Sequence, residues 1–196
     1  MNRRALRATA ATATIFSTSF VAVAWLQPAP RFLWNASASA PTGLYRVDVG
    51  APPRLGDLVA LDPPPALETF LAKRGYLPRG VPLLKRVAGL PGALACRSRV
   101  FVTVNGVAVA RALARDRTGR PLPVWTDCRI VGRDELFLVN AARDSLDGRY
   151  FGPMSAAGLL GTAHPILTRA HLAAPLRWHP MEPAYAQSSS KKEKPE

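Results

Sequence analysis

Three short segments of the 196-residue chain carry the side chains best suited to chemistry. A serine cluster lies in residues 35–45, a lysine in residues 84–92, and a Ser-x-Asp-x-Arg run in residues 145–153. A serine hydroxyl is a poor nucleophile until a base removes its proton. None of the three histidines lies near a serine-rich motif with an acidic partner, so a Ser-His-Asp arrangement has little support. The chain therefore favours a lysine as the base.

Lys85 has the most apolar surroundings of the five lysines, between residues 81–84 (Val-Pro-Leu-Leu) and residues 87–90 (Val-Ala-Gly-Leu). Burial lowers the pKa of a lysine towards neutrality, which allows its amine to accept a proton. A lysine on a strand edge that reaches solvent fits the same residues. The apolar run thus nominates Lys85 as a general base and leaves the solvent-exposed alternative open.

The order and spacing of these segments resemble those of type I signal peptidases and, more closely, those of the TraF-type peptidases of conjugative DNA transfer. Residues 39–45 (Ser-Ala-Pro-Thr-Gly-Leu-Tyr) match the Ser-Met-Pro-x-Gly-Leu-Tyr form, with Ala40 in place of methionine. Residues 85–92 (Lys-Arg-Val-Ala-Gly-Leu-Pro-Gly) match the lysine segment, and residues 56–57 (Gly-Asp) match the turn between the two. The resemblance extends from about residue 35 to about residue 165.

The last segment departs from the family pattern in two places. Gly148 stands where serine is usual in the Ser-x-Asp-Ser-Arg-x-x-Gly box. Residues 140–144 (Asn-Ala-Ala-Arg-Asp) replace the Gly-Asp-Asn-Arg run of leader peptidases. These departures weaken an assignment as a leader peptidase more than they weaken a Ser/Lys dyad.

The resemblance implies a role for each residue of the dyad and its neighbours. Ser39 is implied as the nucleophile that forms an acyl-enzyme, and Lys85 as its general base. The Ser39 backbone N–H and the Ser37 hydroxyl are implied as donors to the oxyanion, although Ser37 fits a plain loop serine as well. Ser145 is implied to hold the Lys85 amine by a hydrogen bond.

Two further pairs of residues have a supporting or structural interpretation. By the resemblance, Asp147 and Arg149 form an ion pair near the site, and a purely structural role fits them equally well. Cys96 and Cys128 match no zinc-binding spacing. If the domain lies outside the cytoplasm, one disulfide between the two cysteines is the simplest account.

The resemblance implies a mainly β fold, with a signal-peptidase-like antiparallel β-sheet catalytic domain, a small extra β/loop insertion and an N-terminal transmembrane helix. The 19 prolines and 14 glycines independently favour turns and short strands. Apolar runs predict strands at residues 44–49, 101–104, 107–109 and 135–140, and residues 56–61 predict a turn that leads into a buried strand. The Asn-Gly pair at residues 105–106 predicts a hairpin, residues 66–76 predict a helix that ends at Gly75, and residues 112–123 predict an Arg-rich loop.

The N-terminus has the pattern of a membrane anchor. Three arginines in residues 1–7 precede a largely apolar run at residues 8–27, near the shortest length of a spanning helix. We expect a cytoplasmic basic segment, a single-pass signal anchor in the bacterial inner membrane, a periplasmic peptidase domain at residues 35–172, and a tail at residues 173–196 that is disordered from about residue 187. A cleaved signal peptide is the alternative, because small-x-small sites occur in residues 36–40.

The formal net charge of +13 invites a nucleic-acid interpretation. The basic residues are scattered and are not interleaved with aromatic residues, so we predict no direct nucleic-acid partner. A basic surface beside the anionic head groups of inner-membrane lipid accounts for the same charge. We predict no cofactor and no metal site.

The resemblance implies a membrane-anchored serine endopeptidase that uses a Ser/Lys dyad to process an exported precursor. Its TraF-like form implies a conjugative pilin subunit as substrate and other transfer components as further partners, and it leaves open whether the product is cyclised. Two alternatives remain. One is a general type I signal peptidase that removes leader peptides, and the other is a non-catalytic assembly protein of the conjugative secretion channel, in which the serine cluster is a linker.

Overall fold

The computed structural model of the protein describes residues 2–26, 31–171 and 173–180. The chain divides into two compact units, one up to Pro30 and one from Arg31 onward. Helix α1 (Arg3–Leu26) makes up the first unit and includes the basic flank as well as the apolar run. Its 24 residues are long and apolar enough to cross a membrane. The tail predicted to be disordered from about residue 187 lies outside the described residues.

The second unit is mainly β, as predicted, and its described pairings between strands are antiparallel. In chain order its strands are β1 (Phe32–Asn35), β2 (Thr42–Asp48), β3 (Leu58–Leu61), β4 (Leu83–Gly89), β5 (Leu94–Ser98), β6 (Phe101–Val104), β7 (Val107–Arg111), β8 (Asp127–Ile130), β9 (Glu135–Leu138), β10 (Met154–Ser155), β11 (Leu159–Arg169) and β12 (Arg177–Trp178). The larger sheet has the order β1-β2-β11-β3-β4-β9-β10, and β12 also pairs with β11. Strand β4, which carries the candidate base, therefore lies inside this sheet between β3 and β9.

A helix at residues 66–76 was predicted, and the structure confirms it as α2 (Pro65–Lys73). Proline at the first helical position suits the start, because its missing N–H would have no partner there. The helix ends two residues before Gly75, which adopts a left-handed conformation with φ of +68°. Leu67 and Leu71 are the residues of α2 that are buried, and they join the core beneath the larger sheet.

The small extra insertion is a separate four-stranded sheet with the order β7-β6-β5-β8. Its predicted hairpin is confirmed, since β6 and β7 meet at Asn105 and Gly106, whose φ angles of +49° and +81° are both left-handed. A disulfide joins Cys96 in β5 to Cys128 directly opposite in β8. Residues 112–123 form the predicted loop, and the only strand-like pairing described in it is the isolated bridge between Arg115 and Pro121.

Apolar side chains on both faces of the larger sheet hold β4 in place. On one face, Val87 of β4 packs with Val59, Leu61 and Leu138. On the other, Leu84 belongs to a second cluster with Tyr45, Val47, Ala60 and Ala163. Each fully buried Val or Leu contributes roughly 1.5–3 kcal/mol relative to an exposed one. The two clusters make β4 a rigid platform for its lysine.

Candidate active site

The loop between β1 and β2 carries the two candidate serines, and Asn35 fixes its shape. The Asn35 side-chain amide donates to the carbonyl oxygens of Ser37 at 3.0 Å, Ala40 at 3.2 Å and Pro41 at 2.9 Å. Its Oδ1 accepts from the Ser37 backbone N–H at 3.0 Å. Asn35 is a buried residue, so these bonds replace the water that its amide has lost. The sequence interpretation overlooked Asn35.

Close packing behind this loop explains the glycine of the Ser-x-Pro-x-Gly run. Gly43 has φ of +143°, and a Cβ atom there would lie 2.1 Å from the Leu167 carbonyl oxygen on β11. No side chain fits that space without movement of the backbone. Glycine at this position lets β2 lie against β11 and so places the serine loop above the sheet.

Lys85 lies in the middle of β4, directly opposite Val59 of β3. Its side chain is buried rather than exposed at a strand edge, with 3% of the residue accessible. Burial lowers the pKa of the Lys85 amine from 10.5 to about 8. Asp147 and Asp144 oppose this shift and Arg149 adds to it. A substantial fraction of the amine is therefore neutral just above neutral pH, as a base requires.

The predicted residues of the dyad come together. Lys85 Nζ lies 3.4 Å from Ser39 Oγ, and it donates to Ser145 Oγ at 2.8 Å. Ser37 Oγ lies 3.0 Å from Ser39 Oγ and accepts from the Ser39 backbone N–H at 3.3 Å. The distance between Lys85 and Ser39 is long for a hydrogen bond, as is common in catalytic groups without bound substrate. This arrangement can activate a hydroxyl and hold the amine that receives its proton.

Asp147 and Arg149 form a buried ion pair, with Arg149 Nε 2.8 Å from Asp147 Oδ1. Asp147 also caps helix α3 (Gly148–Phe151) by accepting from the Arg149 backbone N–H at 3.1 Å. The pair contacts the dyad through an intermediary, because Asp147 Oδ2 accepts from the Asn140 backbone N–H at 3.0 Å and Arg149 Nη2 donates to the Asn140 carbonyl oxygen. The Asn140 side chain in turn reaches Ser39 Oγ at 3.4 Å.

The small sheet supports the turn that carries this ion pair. Arg97 of β5 donates to the Arg149 carbonyl oxygen at 2.8 Å, and Trp125 Nε1 donates to the Gly148 carbonyl oxygen at 3.0 Å. Arg97 is itself a buried residue. It lies next to Cys96, so the disulfide holds the strand that provides this contact. The insertion thus stabilises, by hydrogen bonds, the turn that carries Asp147 and Arg149.

Two cavities meet at Ser39. One of about 290 Å³ lies between residues 33–37 and residues 77–85 and has mainly apolar walls. The other, of about 180 Å³, lies on the Ser145 side and extends to Arg117 and Asp144. Ser39 and Lys85 line both cavities. Among the described residues, no group of three His, Cys, Asp or Glu side chains is arranged to hold a metal ion.

Comparison with known proteins shows the family to which the chain belongs. The profile of the family described as signal peptidase, peptidase S26, matches residues 3–168. This chain belongs to the signal peptidase S26 family, which confirms the resemblance found in the sequence.

Individual relatives of this chain include proteins named for conjugal transfer. The chain is 38% identical over 172 residues to the probable conjugal transfer protein TraF of Sinorhizobium fredii (strain NBRC 101917 / NGR234), which covers 82% of this chain and 88% of that protein. It is 36% identical over 143 residues to the conjugal transfer protein TraF of Agrobacterium tumefaciens (strain 15955), with 68% of this chain and 81% of that one covered. A crystal structure of a signal peptidase I from Enterococcus faecalis V583 aligns at 21% identity with a TM-score of 0.35, over 59% of this chain and 98% of the other.

Proposed function

We propose that the protein is a serine endopeptidase with Ser39 as the nucleophile and Lys85 as the general base. One observation carries the proposal: a buried lysine amine lies within reach of a loop serine and is fixed by a second serine. Burial of an amine costs free energy, so a lysine with a purely structural role is not expected in this position. Such a cost is common where a group must change its charge during a reaction.

The reaction follows from the positions of these groups. Neutral Lys85 takes the proton of Ser39 as Oγ attacks the carbonyl carbon of the scissile bond. The Ser39 N–H and the Ser37 hydroxyl donate to the oxyanion, and each such donor is worth about 10²–10³ in turnover. Lys85 then passes the proton to the leaving amine as the C–N bond breaks, which leaves an ester on Ser39. Water, or an amine of the substrate itself, attacks the ester, loses its proton to Lys85 and restores the Ser39 hydroxyl.

The proposed substrate is an exported precursor with small side chains next to the bond that is cut. The apolar cavity of about 290 Å³ beside Ser39 supports this class of substrate. Relatives named as conjugal transfer proteins support a conjugative pilin precursor in particular. Attack by the amine of the pilin itself would close a ring, and attack by water would give a linear product.

We further propose that α1 retains the protein in the inner membrane as a single-pass anchor. Three arginines precede the apolar run, which favours a cytoplasmic N-terminus and a periplasmic peptidase domain. A disulfide between Cys96 and Cys128 supports an oxidising compartment.

Incubation of the purified full-length protein with the pilin precursor, followed by mass spectrometry, tests the proposal. Ser39→Ala and Lys85→Met should each abolish cleavage, because each removes one member of the dyad. Ser98→Ala and Lys73→Met are matched controls, since both wild-type residues are exposed and neither lines a cavity at Ser39. A product lighter by one water than the linear cleaved pilin would demonstrate ring closure.

The same experiment separates the alternatives. Cleavage of unrelated leader peptides as fast as the pilin precursor would favour a general signal peptidase. Continued cleavage by Ser39→Ala, or an intact precursor with the wild-type protein, would remove the proposed function and leave the assembly role.

A further inference from the structure

The side-chain amide of Asn140 bonds to the backbone on either side of Lys85. Its Oδ1 accepts from the Arg86 backbone N–H at 3.0 Å, and its Nδ2 donates to the Leu84 carbonyl oxygen at 2.9 Å. Strand β9, the neighbour of β4, ends at Leu138, so these two backbone groups lie beyond the last strand pair. The Asn140 amide thus continues the hydrogen-bond ladder and holds the backbone that carries the lysine.

The same amide also contacts the nucleophile. Nδ2 lies 3.4 Å from Ser39 Oγ, and a primary amide has two N–H donors, one for the Leu84 carbonyl and one for this oxygen. With an N–H directed at its lone pair, the Ser39 hydroxyl is free to direct its own hydrogen at Lys85 Nζ. One buried side chain therefore contacts the Ser39 hydroxyl and the backbone on either side of Lys85.

We infer that Asn140 positions Ser39 and Lys85 relative to each other, and that it must be a neutral amide to do so. The inference rests on the proposed function and adds a residue that the sequence interpretation did not select. The buried pair of Asp147 and Arg149 acts through this residue, because it binds both the N–H and the carbonyl oxygen of the Asn140 backbone.

The neutral amide matters for two reasons. A carboxylate in its place has no N–H to donate to the Leu84 carbonyl or to Ser39 Oγ. It would also add a negative charge near the lysine amine, since the Asn140 and Lys85 side chains both reach Ser39 Oγ, and a nearby opposite charge favours the charged form of an amine. The charged groups that already act on Lys85 are Asp144, Asp147 and Arg149. Asp144 and Asp147 lie in the loop that contains Asn140, and Arg149 lies in helix α3, which follows this loop.

Two other titratable side chains lie near Lys85 and bear on its charge. Arg117 and Tyr76 line the cavity that contains Lys85. Both lie outside the loop of Asn140, and both are unchanged in the variants below. A shift in the titration of Lys85 between these variants therefore reports the charge at position 140.

The test is the pH dependence of cleavage of the pilin precursor by full-length variants. Asn140→Asp should move the acid limb of kcat/KM to higher pH by about one unit or more, because the added carboxylate stabilises the lysine ammonium. Asn140→Ala adds no charge, so it should lower kcat by about tenfold or more at an unchanged acid limb and a KM within about twofold. Asn105→Asp, the same change in an exposed hairpin turn, should behave as the wild type.

A merely structural role would lower activity in both variants of Asn140 with no movement of the acid limb, and that result would overturn the inference. Thermal unfolding shows whether each variant is folded. If the aspartate variant does not fold, Asn140→Ala decides alone, and a wild-type kcat would refute the inference. The proposed function fails separately, when the wild-type protein leaves the precursor intact in the same assay.

Discussion

Replacement of Lys85 by methionine should inactivate the protein. It should also remove the destabilisation of the folded state that the buried Lys85 ammonium causes at neutral pH. The pKa of the Lys85 amine falls from 10.5 to about 8 on folding because the side chain is buried. The unfolded chain therefore holds more protons than the folded one, and the free energy of unfolding rises with pH between about pH 8 and 10.5. Below pH 8 the full cost of the buried amine is present. Methionine has a similar length and no charge, so it carries no such cost.

The magnitude follows from the two pKa values. The depressed pKa costs the wild type about 3 kcal/mol at pH 7, about 2 kcal/mol at pH 9 and well below 1 kcal/mol at pH 10.5. Loss of the bond to Ser145 Oγ offsets part of the gain in the variant, by about 1–3 kcal/mol, but by the same amount at each pH. The dependable quantity is therefore the change with pH. Between pH 7 and pH 9, the free energy of unfolding of the wild type should therefore rise by about 1 kcal/mol relative to that of the Lys85→Met variant.

Urea denaturation of the full-length protein in mild detergent measures this difference. Trp125 reports unfolding by its fluorescence, because its ring packs edge-on against Phe137 in the core of the small sheet. Lys73→Met is the matched control, because it removes the same ammonium group from an exposed position. A difference for Lys85→Met that does not change with pH relative to this control would show that the pKa of Lys85 is not lowered by folding, and the reasoning about its role as a base would fail.

Three other measurements bear on the fold and the site. The kcat/KM of the wild type should rise with pH along a single acid limb with an apparent pKa of about 8, the value for Lys85, and a limb at pH 6 or below would contradict this assignment. Replacement of both Cys96 and Cys128 by serine should lower the free energy of unfolding by about 3–4 kcal/mol, because the bridge spans 32 residues, and urea denaturation would show no change if the bridge does not form. Gly43→Ala should lower the Tm much more than Gly50→Ala in thermal unfolding, since both glycines have positive φ but only the first has backbone atoms where a Cβ would lie; equal losses would exclude the close contact.

Part of the secondary structure was predictable because its signals are local. The Asn-Gly turn requires positive φ at two successive residues, and only a few residue types accept it. The apolar run around Lys85 nominated this residue as a base, and the structure buries its side chain in β4. A lysine inside such a run is unusual enough to draw attention without any knowledge of the fold.

Asn35 and Asn140 could not be selected from the sequence, since their roles depend on the packing of the chain. Asn140 bonds to Leu84 and Arg86, more than fifty residues earlier, and only the pairing of β4 with β9 brings them together. Strand β8 was missed for another reason. Each of its four residues is exposed, so it has no alternation of buried and exposed positions to recognise.

The most direct test of the central claim is to identify the residue that carries the acyl group. The protein is mixed with the pilin precursor, quenched in acid within the first turnover, digested with trypsin and examined by mass spectrometry. Cleavage after Arg31 and Arg46 places both Ser37 and Ser39 in one peptide, and its fragmentation distinguishes them. The account predicts an ester on Ser39 in the wild type and none in Lys85→Met. An ester on Ser37, or cleavage of the precursor without any ester, would contradict it.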